Sequence, residues 1–75
     1  MANLPRPTGK EMLRFLQRQG YTLLRVRGSH HILEGHGRRT SVPVHGSQLL
    51  KIGTLRSILR DIDLSPAEFQ QAWNS

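Results

Sequence analysis

The stretch that decides the fold is residues 21–44, which read YTLLRVRGSHHILEGHGRRTSVPV. Two turn signals, Gly28-Ser29 and Gly35-His36-Gly37, divide it into three short segments rich in β-forming residues. Connections this short exclude a parallel crossover, so each strand must pair antiparallel with its neighbour in the chain. The predicted strands of this meander are residues 21–27, 30–34 and 39–44. Pro43 cannot donate a ladder hydrogen bond, so we expect the third strand to lie at an edge of the sheet or to end there.

Two amphipathic helices flank the predicted sheet. Thr8 and Glu11 form a capping box ahead of an apolar stripe, and Gly20 supplies a left-handed stop, which predicts a helix over residues 8–19. After the sheet, Thr54 is the predicted N-cap of a second helix. The apolar residues of that helix follow i, i+3, i+4, i+7 spacing and are Leu55, Ile58, Leu59 and Ile62.

A third, shorter helix is predicted to begin after Ser65. Pro66 suits its first position, Glu68 is the capping-box partner of Ser65, and Leu64 with Phe69 forms a hydrophobic staple. The order helix, three-stranded antiparallel sheet, helix and short C-terminal helix indicates an α+β fold with both main helices on one face of the sheet. We predict an extended lead-in over residues 1–7 and a single domain over residues 8–75.

Charge is the most informative feature of the composition. The 75 residues include 11 Lys+Arg and 5 Asp+Glu, for a formal net charge of +6. This excess on a small surface favours a polyanionic partner, with nucleic acid as the first candidate. The chain has no cysteine, which excludes disulfides, a thiol nucleophile and a thiolate metal site. It also lacks a membrane-spanning apolar run and a secretory signal, so the expected location is the cytoplasm, with no membrane partner.

The basic residues are grouped rather than scattered. Lys10, Arg14 and Arg18 recur every four residues and form one stripe along the first helix. Arg25 and Arg27 share one face of the first strand and lead into its turn. Grouping of this kind favours contacts with phosphate groups over a merely solvated surface. The few aromatic residues occupy core-like positions, which disfavours binding of single strands by base stacking.

The four histidines are the candidate acids and bases near neutral pH. His30 and His31 begin the second strand and point to opposite faces, so they cannot serve one site. His45 ends the third strand and lies near His30 if these two strands pair. His36, between two glycines at a hairpin tip, is expected to be solvated. Their spacing, with no acidic residue or cysteine to complete a ligand set, disfavours a zinc site, and we predict none.

Three blocks of the sequence resemble the HicA toxin family. They occur in that family's order and spacing, and the resemblance covers residues 8 to about 64. The blocks are Gly20-Tyr21 with Arg25-Val26-Arg27-Gly28-Ser29-His30-His31-Ile32-Leu33, then Val42-Pro43-Val44-His45, then Gly53-Thr54-Leu55-Arg56-Ser57-Ile58-Leu59-Arg60. The resemblance implies a fold like the double-stranded-RNA-binding domain and a toxin–antitoxin system with a role in stress response. It also implies a messenger-RNA interferase, that is an endoribonuclease, neutralised by a HicB-type antitoxin protein.

The same resemblance places the family's essential histidine on His30. His45 matches the histidine after the Val-Pro segment, and we assign it, with Ser29, a supporting role that is either catalytic or structural. RNA carries its own nucleophile, the 2′-hydroxyl, so a base and nearby cations suffice for cleavage without a metal ion or a cofactor. The expected product ends are a 2′,3′-cyclic phosphate and a 5′-hydroxyl. The residues predicted to bind RNA are Lys10, Arg14, Arg18, Arg25, Arg27 and Lys51.

Two other functions fit part of the same pattern. A non-catalytic RNA-binding module of the same fold would use the basic surface and would not cleave RNA. A protein-interaction domain would use the positive surface to dock an acidic partner. Replacement of His30 separates the first alternative from a ribonuclease, and salt-dependent RNA binding counts against the second.

Overall fold

The computed structural model describes residues 4–75, and over this range it contains three helices and one three-stranded sheet. The elements are α1 (Gly9–Arg18), β1 (Thr22–Arg27), β2 (His30–Gly35), β3 (Arg38–Pro43), α2 (Ile52–Asp61) and α3 (Pro66–Trp73). This order of elements confirms the predicted α+β class. It also confirms the predicted likeness of the fold to the double-stranded-RNA-binding domain. None of the described helices has the length and apolar character that crossing a membrane requires.

Two tight turns set the register of the sheet. The strands lie in the order β1-β2-β3, and both pairs are antiparallel. Gly28 has φ +59° at the first position of its two-residue loop, as in a type II′ turn. His36 and Gly37 both have positive φ, as in a type I′ turn. These loops place Arg27 opposite His30 and Gly35 opposite Arg38.

Both main helices pack on one face of the sheet. Leu33, Thr40 and Val42 point to that face and are buried, whereas the residues that alternate with them on β2 and β3 are exposed or half-buried. The apolar stripes of α1 and α2 complete this core. Its buried apolar residues are Met12, Phe15, Leu16, Tyr21, Leu33, Val42, Leu50, Leu55, Ile58, Leu59, Ile62 and Phe69.

An aromatic cluster joins α3 to α1. Phe69 lies edge-on to Phe15, with ring centroids 5.1 Å apart, and the ring of Trp73 lies 5.5 Å from each of them. The predicted capping box at the start of α3 is present: Ser65 Oγ accepts from the Glu68 backbone N–H, and Glu68 Oε1 accepts from the Ser65 N–H at 2.8 Å. The backbone hydrogen bond from Ser65, followed by that of its side chain, lowers the pKa of Glu68.

The start of α2 differs from the prediction. The helix begins at Ile52 with Lys51 as its N-cap and no capping side chain, so Thr54 lies inside its first turns rather than at the cap. Tertiary pairing upstream accounts for the early start. Leu50 N–H donates to the carbonyl of Pro7 at 2.8 Å, which holds the chain extended up to residue 50 and leaves the helix to begin directly afterwards.

The segment before α1 is paired rather than free. Thr8 forms a β-bridge with Leu49, and the Arg6 guanidinium donates to the carbonyl of Leu50 at 3.1 Å. Pro7 is fully buried. Arg6 and Pro7 of the predicted lead-in thus contact the connection between β3 and α2, and residues 1–3 lie outside the described residues.

Gly9 permits a close approach between α1 and the sheet. A Cβ at this position would overlap the carbonyl oxygen of Pro43 and would lie 2.9 Å from Val44 Cα. The first turn of α1 therefore rests directly on the backbone at the end of β3. No periodicity or capping rule distinguishes this glycine in the sequence, and its importance is visible only in the tertiary structure.

Candidate active site

His30 lies on the face of the sheet that the helices leave open. It is exposed at the first position of β2, and its direct partner on β1 is Arg27. Side chains directly opposite each other on antiparallel strands share a face, with Cβ atoms about 5 Å apart. Arg25 and Ile32 form the pair two residues further along the two strands, so their side chains lie on the same face as Arg27 and His30. The imidazole of His30 thus lies beside two exposed arginines.

The backbone around His30 is fixed from both sides. The Gly28-Ser29 turn connects it to β1, and Pro43 is its partner on β3. Beyond that pair, the Val44 N–H donates to the carbonyl of Ser29 at 2.8 Å. His45 is the next residue, so the strand pairing brings it to the same end of the sheet as His30. Ser29 therefore contributes a backbone oxygen that ties the His30 turn to the His45 segment.

His31 points away from His30, as strand alternation predicts. It is half-buried between Val26 and Val42, its partners on the neighbouring strands. Its Nδ1 lies 3.2 Å from the carbonyl oxygen of Ser29. A carbonyl can only accept, so this hydrogen bond requires the proton on Nδ1. This side chain supports the turn from the face of the sheet opposite His30.

His36 has a structural role at the other end of the sheet. Its Nε2 lies 2.7 Å from the carbonyl of Gln19 at the end of α1, and its ring packs edge-on against Tyr21. The side chain is exposed, as expected, but it is held by both contacts rather than simply solvated. Its position at the far hairpin separates it from the His30 end.

None of the acidic residues forms an ion pair with His30, Arg25 or Arg27 within residues 4–75. Glu34 pairs with Arg39 at 3.0 Å, and Asp63 pairs with Arg38 at 3.5 Å. Asp61 accepts from Thr40 Oγ1 at 2.9 Å. The remaining two, Glu11 and Glu68, serve the capping boxes of α1 and α3.

This distribution leaves the open face of the sheet around His30 positive. Glu34 is four residues from His30 along β2, about 13 Å at 3.3 Å per residue, which exceeds the screening length of about 8 Å at physiological salt. Neither Arg25 nor Arg27 forms an ion pair within residues 4–75. Over the same described range, no group of three potential metal ligands converges.

The predicted RNA-binding residues fall on two separate surfaces. Arg25 and Arg27 lie next to His30 on the open face of the sheet, both on the neighbouring strand β1. Lys10, Arg14 and Arg18 are exposed on α1, which packs on the opposite face through Met12, Phe15 and Leu16. Lys51 belongs with the His30 end, because it lines a cleft with Pro43 and His45.

Comparison with known proteins agrees with this architecture. A family model described as the HicA toxin of bacterial toxin–antitoxin systems matches residues 9–64, which run from the start of α1 to just beyond α2. No curated protein sequence gives a significant match to the chain. The family match covers 56 of the 75 residues. The chain therefore belongs to the HicA family of bacterial toxins that act in toxin–antitoxin systems.

Proposed function

We propose that this toxin is an endoribonuclease that cleaves messenger RNA with His30 as its catalytic histidine. The observation that carries the proposal is the direct pairing of Arg27 with His30 across β1 and β2 on the open face of the sheet. A titratable imidazole and a permanent cation are thereby held side by side on rigid backbone. These two groups can act as the general base and as the stabiliser of phosphate charge when RNA is cleaved by its own 2′-hydroxyl.

The proposed reaction begins with proton transfer to His30. As the imidazole removes the proton of the 2′-hydroxyl, the 2′-oxygen forms a bond to the adjacent phosphorus. The bond from phosphorus to the 5′-oxygen then breaks, and the 5′-oxygen takes up a proton. His45 is the second imidazole at this end of the sheet and is the candidate donor. The products are a 2′,3′-cyclic phosphate and a 5′-hydroxyl, and no metal ion or cofactor takes part.

Arg27 and Arg25 would stabilise charge that grows on the phosphate oxygens in the transition state. An arginine remains charged at all relevant pH values and can donate two parallel hydrogen bonds to a phosphate. The sheet holds both side chains on the same face as His30 before substrate arrives, so little reorganisation is needed during the reaction. The helix residues Lys10, Arg14 and Arg18 would instead bind more distant phosphates of the RNA.

The same surface explains the proposed inhibition by a HicB-type antitoxin. Arg25, Arg27 and His30 are exposed and form no ion pair within residues 4–75. An antitoxin that covers this face with carboxylates would exclude RNA and would compensate the positive charge. The proposed partners of the chain are therefore messenger RNA and an acidic antitoxin surface.

Controlled expression in a bacterial host tests the proposal. Wild-type protein should arrest growth and shorten messenger-RNA half-lives, and His30→Ala should do neither while accumulating as folded protein. His36→Asn is the matched control, since it removes an exposed histidine at the far hairpin and asparagine tolerates positive φ. It should retain full toxicity.

The outcomes distinguish the ribonuclease from its alternatives. If His30→Ala is folded and fully toxic, His30 is not the catalytic residue. If purified wild type binds RNA in a salt-dependent manner but never cleaves it, the chain is a binding module of the same fold.

A further inference from the structure

A cleft of about 230 Å³ opens beside the His30 end of the sheet. Pro43, the β3 partner of His30, forms one side, and the connection from β3 to α2 forms the other. The cleft therefore begins one strand spacing from His30, about 4.8 Å. Its polar lining comes from His45, Gln48, Lys51 and Thr54.

The walls of this cleft are built by specific backbone contacts. Residues 45–48 form a turn in which the Gln48 N–H donates to the carbonyl of His45 at 3.0 Å, with Gly46 at φ +56°. The opposite wall is anchored because Leu50 is bound to Pro7 and Arg6. The side chains of His45, Gln48 and Lys51 are therefore presented from an ordered connection.

The lining combines apolar surface, hydrogen-bonding groups and positive charge. Leu49 lines the cleft and is 52% exposed. Exposed large apolar side chains around a concave, partly polar site are typical of ligand-binding sites. Lys51 has no ion pair within the described part of the chain. A ligand that matches this lining has an apolar face, a polar edge and a negative charge.

We propose that this cleft binds the nucleotide adjoining the scissile phosphate and sets the base preference of the toxin. The base would lie against Leu49, the Gln48 amide would read its polar edge, and Lys51 would bind the attached phosphate. A glutamine amide offers both a donor and an acceptor, as base recognition requires. The inference rests on the proposed ribonuclease activity and adds a specificity site to it.

Continuity with the catalytic face favours RNA over a protein partner as the occupant. Arg27, His30 and Pro43 lie side by side across the three strands. An RNA strand whose scissile phosphate lies at His30 and Arg27 would reach Pro43 if it continued in this direction, and the cleft begins there. The charge of Lys51 continues the positive surface of Arg25 and Arg27 toward α2. A nucleotide supplies in one molecule the apolar face, the polar edge and the negative charge that match this lining.

Single-turnover cleavage of short unstructured RNAs tests the proposal. The substrates carry each of the four bases in turn at the positions flanking one cleavage site. With Gln48→Ala, the preference at one flanking position should fall by about tenfold, because one base-edge contact accounts for discrimination of that order. With Lys51→Gln, RNA binding should weaken. The slope of the logarithm of the binding constant against the logarithm of the salt concentration should become shallower by about 0.7, which corresponds to one lost phosphate contact. The matched controls are Gln71→Ala on α3 and Arg60→Gln on α2.

Both control variants should retain the wild-type base preference and salt slope. Unchanged preference in Gln48→Ala together with an unchanged slope in Lys51→Gln would overturn the inference while leaving the cleavage activity intact. If these variants keep the wild-type base preference and salt slope but resist inhibition by an antitoxin, the cleft is a protein interface and the inference is again overturned. Absence of cleavage by the wild type would instead reject the proposed function on which the inference rests.

Discussion

Replacement of Gly9 by alanine should destabilise the fold although alanine is the better helix former. The added Cβ would overlap the carbonyl oxygen of Pro43 and would lie 2.9 Å from Val44 Cα, where ordinary contacts begin at 3.4 Å. Both clashing groups are backbone, so no side-chain rotation relieves the overlap. The first turn of α1 must move away from the end of β3 by at least about 0.5 Å, the shortfall in the Val44 contact.

The magnitude follows from two opposing terms. Overpacking of this kind costs about 1–3 kcal/mol, and the helix propensity of alanine returns at most about 1 kcal/mol. A midpoint cost of about 2 kcal/mol less a return of about 1 kcal/mol leaves a net loss of about 1 kcal/mol, which corresponds to a decrease in Tm of about 4–8 °C for a domain of this size. Thermal unfolding followed by far-UV circular dichroism measures this shift.

Gly53 provides a matched control in the first turn of α2. A Cβ at Gly53 meets no atom within 4 Å among the described residues. Gly53→Ala should therefore raise Tm by about 2–4 °C, for a gain of about 0.5 kcal/mol. A Tm for Gly9→Ala equal to or above that of the wild type would refute the close contact between α1 and β3.

Three further predictions concern charge, pH and metal ions. Arg27→Gln should reduce the single-turnover cleavage rate more than RNA binding, whereas Arg18→Gln on α1 should weaken binding and leave the rate of bound substrate unchanged; equal and negligible effects would make both arginines ordinary solvated surface. The lowered pKa of Glu68 means that its contribution to stability is fully present above its ordinary value of 4.5 and is lost as pH falls through the lowered value. Melting curves between pH 6 and pH 3 should show a smaller decrease in Tm for Glu68→Gln than for the wild type, and identical decreases would contradict this cause. Cleavage of an unstructured RNA should be unchanged by EDTA, and activity that disappears in EDTA and returns with magnesium would contradict a mechanism based on His30 and arginines.

Local rules predicted most of the fold because its elements carry their own signals. The capping boxes at Thr8 and Ser65 are present, Gly20 has φ +96° after α1, and the three strands pair as their short turns require. The start of α2 was predicted wrongly at Thr54. Pairing of residues 7–8 with residues 49–50 determines where that helix begins, and such pairing has no local signature.

The candidate site was predictable only in part. Strand alternation correctly separated His30 from His31 and placed Arg25 and Arg27 on one face. Only the tertiary structure shows that α1 presents its basic stripe on the other side of the sheet. The partners of Asp61 and Asp63 depend on where α2 ends relative to β3. Hydrophobic periodicity does not specify this position. The sequence therefore does not predict that acidic residues gather near the far hairpin.

The most direct test of the central claim is single-turnover cleavage of one RNA and of its analogue with a single 2′-deoxy nucleotide at the cleavage site. The wild type should cleave the RNA to a 2′,3′-cyclic phosphate and a 5′-hydroxyl and leave the analogue intact at that site, because the analogue lacks the nucleophile. His30→Ala should cleave the RNA at least about 100-fold more slowly, the usual effect of losing a general acid–base group. Cleavage of the deoxy analogue at the same site, or an unchanged rate for folded His30→Ala, would contradict the account.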